Sequence, residues 1–362
     1  MNAKFVGRVM ALTSAVLAML LPAVLAVAQQ EQFPTRPITL IVPFAPGGAT
    51  DIVARLVAVH VGEDLGQSVV IDNRAGGAGN IGTHAAARAN PDGYTLVLAT
   101  TTQLINQYLS KSLPYNLFTD LVPIALIADA PEVVAISTKL PVTTLSQFMA
   151  AARADVNGFN YGSAGLGSVP HLGGEVLARA VNAKMVHIPF RGSADAVKEV
   201  AAGNVQFTLA TQASVASFVE SGLVRVIAIA ASRRLSTLPD VPTTAEAGLP
   251  GIELSNWFGI MGPRGMSPRL VSLINAAFNK ALALPVVGST LARQGIEPVM
   301  ETPEQFAVRL QVDAKSYQKI IEQIGLTPQY CCAASWDIRR GPDAARDLGK
   351  PIDVRKIEEE EP

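Results

Sequence analysis

Few residues in this 362-residue chain carry reactive side chains, and their spacing limits what they can do. The four histidines are His60, His84, His171 and His187, and no pair reads His-x-x-x-His or takes another zinc-like spacing. Ser163 stands on a glycine-flanked turn, and with His171 as base and Asp195 as orienter it could serve as the nucleophile of a serine-type hydrolase. The Gly-x-Ser-x-Gly elbow is matched only in part, because Tyr161 takes the place of the first glycine, and His171 lies too near in sequence to be placed freely. Helix-face or packing roles for the histidines are preferred. Cys331 and Cys332 are adjacent near the end of the chain, so no structural disulfide bridges the body of the fold, although in an oxidising compartment they could link chains.

Capture of an anion by bare main chain suits the residues better. The apolar run from Ile38 to Val42 stops at Pro43-Phe44-Ala45-Pro46-Gly47-Gly48-Ala49-Thr50-Asp51, after which Ile52, Leu56 and Val59, joined by Val53, Val57 and Val61, fall at helical spacing. Thr50 is the expected cap. Glycine lets the backbone turn close to a ligand, while the free N–H groups of a helix's first turn and the positive end of its dipole attract a carboxylate or phosphate. Pro-Gly-Gly also marks ordinary turns, so the loop has both readings. The theme of strand, loop and helix start returns at Asn160-Tyr161-Gly162-Ser163-Ala164-Gly165-Leu166-Gly167-Ser168, at His187-Ile188-Pro189-Phe190-Arg191-Gly192-Ser193 and at Thr211-Gln212-Ala213-Ser214. Thr100-Thr101-Thr102-Gln103 closes another strand, where the threonines either bond a ligand or cap a helix. Arg191 is a candidate for bidentate contact with a carboxylate or for a salt bridge across a hinge. Trp257 and Phe258 are read as apolar core before cleft wall. The run Gly77-x-Gly79-x-x-Gly82 looks like a dinucleotide fingerprint, but Asp72 precedes the glycines instead of following them, so close backbone packing is the expected role.

These loops need a scaffold. Strands expected at Ser68 to Ile71, Thr95 to Thr100 and Ile124 to Ala128 alternate with helical segments, which implies a parallel sheet covered on both faces, with ligands beyond the carboxyl ends of the strands. A second domain is expected to begin near Asp129-Ala130-Pro131, with a strand resuming at Val133 to Ser137, and the chain to lead back after Leu238-Pro239-Asp240-Val241-Pro242. Helices opening at Ser267-Pro268 and Thr302-Pro303 should cover the first domain. Lys4 and Arg8 precede an uncharged apolar run from Val9 to Val27 that Pro22 interrupts, and Ala26-Val27-Ala28 gives a cleavage pattern, so residues 1–28 read as a secretory signal peptide cut after about Ala28. Removing Lys4 and Arg8 takes the net charge from -1 to -3, which leaves no basic excess for nucleic acid. No later segment is long and apolar enough to span a membrane, and a soluble, exported protein is expected. From Tyr330 onward charge runs end in Glu358-Glu359-Glu360-Glu361, an atypical tail (330–362) expected to be disordered.

Val42-Pro43-Phe44-Ala45-Pro46-Gly47-Gly48-Ala49-Thr50-Asp51, with Ala54-Arg55 following, resembles the signature of the solute-binding receptors of tripartite tricarboxylate transporters, called Bug receptors. So do Asn73-Arg74-Ala75-Gly76-Gly77-Ala78-Gly79-Asn80-Ile81-Gly82, Pro91-Asp92-Gly93-Tyr94-Thr95-Leu96, Tyr161-Gly162-Ser163-Ala164-Gly165, His171-Leu172, Pro189-Phe190-Arg191-Gly192, Pro239-Asp240-Val241-Pro242-Thr243 and Asn256-Trp257-Phe258-Gly259, in order from about Pro34 to about Gln329. The resemblance implies the type II periplasmic-binding-protein (Venus flytrap) fold, two α/β lobes joined by two crossover strands, with residues 29–129 and 240–329 as lobe 1 and 130–239 as lobe 2. It implies a monomeric periplasmic receptor, with no cofactor and no catalysis, that closes on a small organic carboxylate and delivers it to the membrane subunits of the transporter. A co-receptor informing a sensor kinase is the alternative. Carried over, the ligand residues are Pro46, Gly47, Gly48, Ala49 and Asp51 on one side and Ser163, Ala164 and Gly165 on the other, with Thr101, Thr102, Arg191, Gly192, Thr211 and Gln212 around the remainder. The chain departs from the pattern in one respect: no acidic residue closes the strand Phe207-Thr208-Leu209-Ala210, which favours a ligand without an ammonium group.

Overall fold

A computed structural model describes residues 33–328. The expected signal peptide, its cleavage point and the C-terminal tail with Cys331 and Cys332 lie outside the described residues. The strands at Ile38–Val42, Thr95–Thr100 and Phe207–Thr211 are almost wholly buried, whereas those at Val69–Asn73 and Met185–Pro189 are only partly covered. β1 (Ile38–Val42) pairs in parallel with β2 (Val69–Asn73) and β3 (Thr95–Thr100). The connections are α1 (Ala49–Leu65), a short 3-10 turn at Gly77–Gly79 leading into α2 (Asn80–Ala87), and α3 (Thr101–Leu109) after β3. β4 (Leu121–Ser137) follows, and beyond it α4 (Leu145–Ala154), β5 (Phe159–Ser163), α5 (Val169–Val181), β6 (Met185–Pro189), α6 (Ser193–Ala202), β7 (Phe207–Thr211), α7 (Gln212–Glu220) and β8 (Val224–Ile229). β9 (Ser255–Pro263), α8 (Pro268–Leu282), α9 (Pro285–Arg293), β10 (Glu297–Pro298) and α10 (Pro303–Gln323) complete the described chain.

Two α/β lobes share one long strand. The sheet order is β2-β1-β3-β9-β4-β7-β5-β6, with β8 and β10 pairing β4 on the other side. Residues 121–131 of β4 pair antiparallel with β9, and residues 132–137 pair antiparallel with β7 and β8. The sequence suggests two strands separated by a linker at Asp129-Ala130-Pro131, whereas the structure has one unbroken strand of 17 residues. Proline removes a single donor, and β9 pairs straight through the segment, so Pro131 marks the crossing without ending the strand. After β8 the chain stays close: Ile229 bridges Thr243, and Leu235, Leu238 and Val241 pack beside β8 before Ser255 opens β9.

The core follows the faces of this sheet. On one face Val53, Val57 and Val61 of α1 meet Ile274, Phe278 and Leu282 of α8. On the other, Trp257, Phe306 and Leu310 share a continuous cluster with Phe148, Tyr161 and Phe207, so the apolar interior runs from one lobe into the next. Trp257 and Phe258 are core residues, 1% and 0% exposed. The glycines at 79 and 82 act as packing residues: a Cβ at Gly79 would lie 2.2 Å from Gln103 Nε2, and one at Gly82 would lie 2.9 Å from the Arg74 carbonyl. No dinucleotide turn forms there. Serine or threonine opens and caps α4 (Thr144), α8 (Ser267) and α10 (Thr302).

Phe306 docks α10 onto the sheet, its ring edge-on to Trp257 at 5.4 Å and over the bare face of Gly259. Phe306→Ala should cost about 3–5 kcal/mol of unfolding free energy, because the void is walled by rigid strand backbone. Urea denaturation checks this, and a loss under about 1 kcal/mol would show that α10 is held elsewhere.

Candidate functional site

Five helices begin at one cleft between the lobes. α1 contributes Gly48, Ala49 and Thr50 to its wall, α3 contributes Thr102, α5 Pro170, α6 Ser193, and α7 its cap Thr211 with Ser214. Phe44, Ala45, Ala164 and Asn256 complete the lining, in which no side chain is charged. This follows from topology: in each lobe the parallel strands end on the side that faces the other lobe, so every strand-to-helix turn delivers a helix N-terminus there. Each such terminus carries a partial positive charge of roughly half a proton and N–H groups without partners in the helix.

The caps separate these helices. Thr100 accepts from the N–H of Thr102 at 3.2 Å and forms a capping box with Gln103, and Ser168 accepts from the N–H of His171 at 3.3 Å, so α3 and α5 are closed by their own residues. The caps of α1, α6 and α7 are Gly48, Gly192 and Thr211, and none gives a side-chain cap. The sequence points to Thr50 as the cap of α1, but the helix starts one residue earlier and Thr50 falls in its first turn. A glycine at the cap leaves first-turn donors for an anion from outside the helix. One of these is engaged across the cleft: Ala49 N–H donates to Ser214 Oγ at 3.2 Å, and Ser214 Oγ lies 3.1 Å from Thr211 Oγ1.

The lobes are shut. The cleft holds about 20 Å³, little more than the room one water needs. Gly165 adopts φ +117, and a Cβ there would stand 3.1 Å from that of Ala78 in the other lobe. A ligand larger than a water must enter with the lobes apart.

Behind the wall, polar side chains hold the two glycine loops. Asp51 accepts from Gly47 N–H at 3.1 Å, from Arg55 Nε at 3.0 Å and from Asn73 Nδ2 at 3.0 Å. Burial pushes its carboxyl up, but the hydrogen bonds from Arg55, Gly47 and Asn73 and the Arg55 charge outweigh burial and hold it below the usual range. In the second lobe Ser163 Oγ accepts from Gly165 N–H at 3.0 Å and sits 2.5 Å from His187 Nε2, while His171 Nδ1 accepts from Gly167 N–H at 3.1 Å. Burial pushes His171 down to about 4, opposed by the Glu175 charge, and pushes His187 down to about 3 with help from His171, so both rings are neutral buttresses. The Ser163, His171, Asp195 trio does not assemble: Ser163 is buried against His187, and Asp195 pairs with Lys198 at 3.3 Å.

Of the residues expected at the site, Gly48, Ala49, Thr102, Ala164 and Thr211 line the cleft. Pro46 and Gly47 form the exposed outer turn, with the Gly47 N–H taken by Asp51. Thr101 is buried and accepts from the Trp257 N–H at 3.0 Å, Ser163 lies beneath its loop, and Gly165 forms the lobe contact. Gly192 is buried against Ala45, Arg191 is exposed and off the cleft wall, and Gln212 accepts from Thr237 Oγ1 at 2.5 Å. Sequence reasoning missed Ser193, Ser214 and Asn256. The two serines could have been found from their places in the first turns of α6 and α7. Asn256 precedes the aromatic pair of a quoted motif, and its Oδ1 is buried without a partner at the cleft.

Two lobes hinged on a shared strand and closing over an uncharged, donor-rich cleft define a two-lobed binding protein. Residues 53–326 match the tripartite tricarboxylate transporter family receptor, and the chain belongs to that family. It is 36% identical over 297 residues to Protein BugT of Bordetella pertussis, covering 82% of this chain and 91% of that one. The solved structure of periplasmic binding protein BugD superposes with a TM-score of 0.80 at 29% identity, covering 82% of this chain and all of BugD. Rpa4515 of R. palustris, solved with adipate, gives 0.79 at 32% identity over 82% of this chain and all of its own. MatC from Rhodopseudomonas palustris, solved with bound malate, gives 0.76 at 31% over 80% of this chain and all of its own. Family members are periplasmic binding proteins.

Asp51→Asn removes the charge that gathers Gly47, Arg55 and Asn73, and should cost about 1–3 kcal/mol at pH 7. A carboxyl held low stabilises above its ordinary value and loses that contribution as pH falls through the lowered one, so the gap between variant and wild type should close in acid. Denaturant unfolding at pH 7 and pH 3 checks both the size and the sign.

Proposed function

We propose that the protein is a periplasmic receptor that captures a small organic carboxylate by lobe closure and delivers it to the membrane subunits of a tripartite transporter, doing no chemistry on it. The observation that carries this reading is the meeting of three helix starts without side-chain caps, one from the first lobe and two from the second, in a cleft with no charged side chain. One carboxylate head group is gripped by main chain of Gly48 and Ala49 from one lobe and of Ala164 and Gly192 from the other. Thr102, Thr211, Ser193 and Ser214 offer hydroxyls, and Asn256 its amide. Pro46, Gly47 and Asp51 hold the first loop in shape, and Ser163 and Gly165 hold the second. The carboxylates in two structural neighbours, adipate and malate, support the ligand class. The absence of an acid from the cleft wall supports a ligand without an ammonium group, and an amino acid outcompeting plain dicarboxylates in calorimetry would remove that part. The receptor acts as a monomer, since the cleft is completed within one chain.

Binding to the native state alone raises the melting temperature, so a thermal-shift screen over mono-, di- and tricarboxylates should yield a stabilising ligand. Gly48→Val then tests the site. A Cβ at Gly48 meets nothing nearer than the Ala194 nitrogen at 3.9 Å, so the fold tolerates it, while the larger side chain occupies the carboxylate position. Affinity should fall at least about a hundredfold, some 2.7 kcal/mol, with the melting temperature of the free protein almost unchanged. Unchanged affinity would move the site elsewhere.

A further inference from the structure

Glu132 sits where β4 changes partners. Pro131 makes the last pair with β9, opposite Ser255, and Glu132 makes the first with β7, opposite Thr211. Its N–H donates to the Leu254 carbonyl at 2.9 Å, its carbonyl accepts from Ala230 N–H at 2.8 Å, and Leu254 N–H donates to the Ala230 carbonyl at 2.9 Å. The residue is thus tied to the strand that leaves the first lobe and to the stretch that returns. A rotation of one lobe against the other must turn about this knot.

The side chain is out of place there. Glu132 is 1% exposed, and its Oε2 is buried without a hydrogen-bond partner. No ion pair among the described residues includes it. Arg309 of α10 pairs with Asp129 at 2.9 Å and Asp313 at 2.8 Å, not with Glu132. Burial, and after it the charges of Asp313 and Asp129, push the phenol of Tyr317 in α10 up, and its hydroxyl is committed to the Ser255 carbonyl at 3.0 Å. The strand neighbours Thr211, Ala230 and Leu254 carry no charge. A carboxylate in these surroundings has lost water and gained no counter-ion, so the protonated form is the stable one. Burial pushes the carboxyl up to about 8.

We propose that Glu132 is a proton site built into the hinge, so that lobe closure, and with it anion capture, takes up a proton. The capture half rests on the receptor reading above; the closure half does not. Thr211, directly across from Glu132, lines the cleft, so parting the lobes brings water to this pair of strands. Hydrated, the carboxyl ionises at its ordinary value; shut in, it holds a proton. The sign follows: a group whose pKa is raised in the closed form favours closure fully below the ordinary carboxylate value, and the advantage is lost as pH rises through about 8. Capture therefore brings in a carboxylate and a proton together.

Glu132 is off the cleft wall, so Glu132→Gln keeps its shape and leaves the ligand contacts untouched; Glu132→Met serves as a second variant of similar length. The affinity of the best carboxylate from the thermal-shift screen, measured by calorimetry from pH 6 to 9, should weaken about tenfold per pH unit up to about 8 and then level off in the wild type. Titrations in buffers of different ionisation enthalpy should show close to one proton taken up at pH 7, and both variants should be flat within about twofold with no uptake. A flat wild type, or a slope that survives in the variants, overturns the proposal. If no carboxylate binds at any pH, the receptor reading fails, and small-angle scattering of the free protein decides the hinge: a radius of gyration that grows from pH 6 to 9 in wild type and stays constant in both variants supports the latch. Identical behaviour in all three proteins overturns it.

Discussion

The first N–H groups of a helix have no partner inside the helix, and something must meet them. In half of the described helices a serine or threonine does so, as Thr144, Ser267 and Thr302 show. At α1, α6 and α7 that side chain is withheld, and the three helices point at one another across a gap. The arrangement is stable because each loop is braced from behind. Asp51 draws in Gly47 and Asn73, and the neutral rings of His171 and His187 hold the second loop through Gly167 and Ser163. Main-chain donors on rigid helices select charge and shape without a buried cation, which would itself have to be desolvated.

Closure uses the same donors twice. With the lobes shut and the cleft reduced to about 20 Å³, the hydroxyl of Ser214 bonds the N–H of Ala49. A neutral hydroxyl is a weaker partner for a helix start than an ionised oxygen. The closed form is therefore one that an anion improves upon, and the affinity of the site is what the anion gains there over the hydroxyl, less what closing the lobes costs. Apolar packing continues from lobe to lobe through Trp257, Tyr161 and Phe207, and β4 runs through both.

Much of this was legible in the residues. The run Ile38 to Val42 followed by Pro-Gly-Gly and a helical pattern located β1, its loop and α1, and Thr95 to Thr100 fell on β3 residue for residue. Local rules sufficed there because apolar period and turn chemistry agree. They failed at Pro131, where turn chemistry spoke for a linker and pairing with β9 carried the strand through. They failed at Thr50 too, since a threonine before an apolar run is a good cap unless a glycine two residues earlier is preferred for what it leaves open. Ser163 reads as part of a turn after a strand but is the last residue of β5, and the direction of its hydroxyl, toward His187, is set by a strand 24 residues on.

What the sequence by itself determined was the list of turns. Each strand end, each glycine loop and each helix start is a short-range matter of steric freedom and apolar spacing, and the order of these motifs named the family. Which turns face one another was decided only in three dimensions, because it depends on β4 crossing both lobes and on the parallel strands of each half ending toward the other. The same crossing placed a glutamate 1% exposed between the two halves, an acid that looks like any polar strand residue until the chains around it are known. Burial is a property of the neighbours, and the neighbours of Glu132 come from residues 211, 230 and 254.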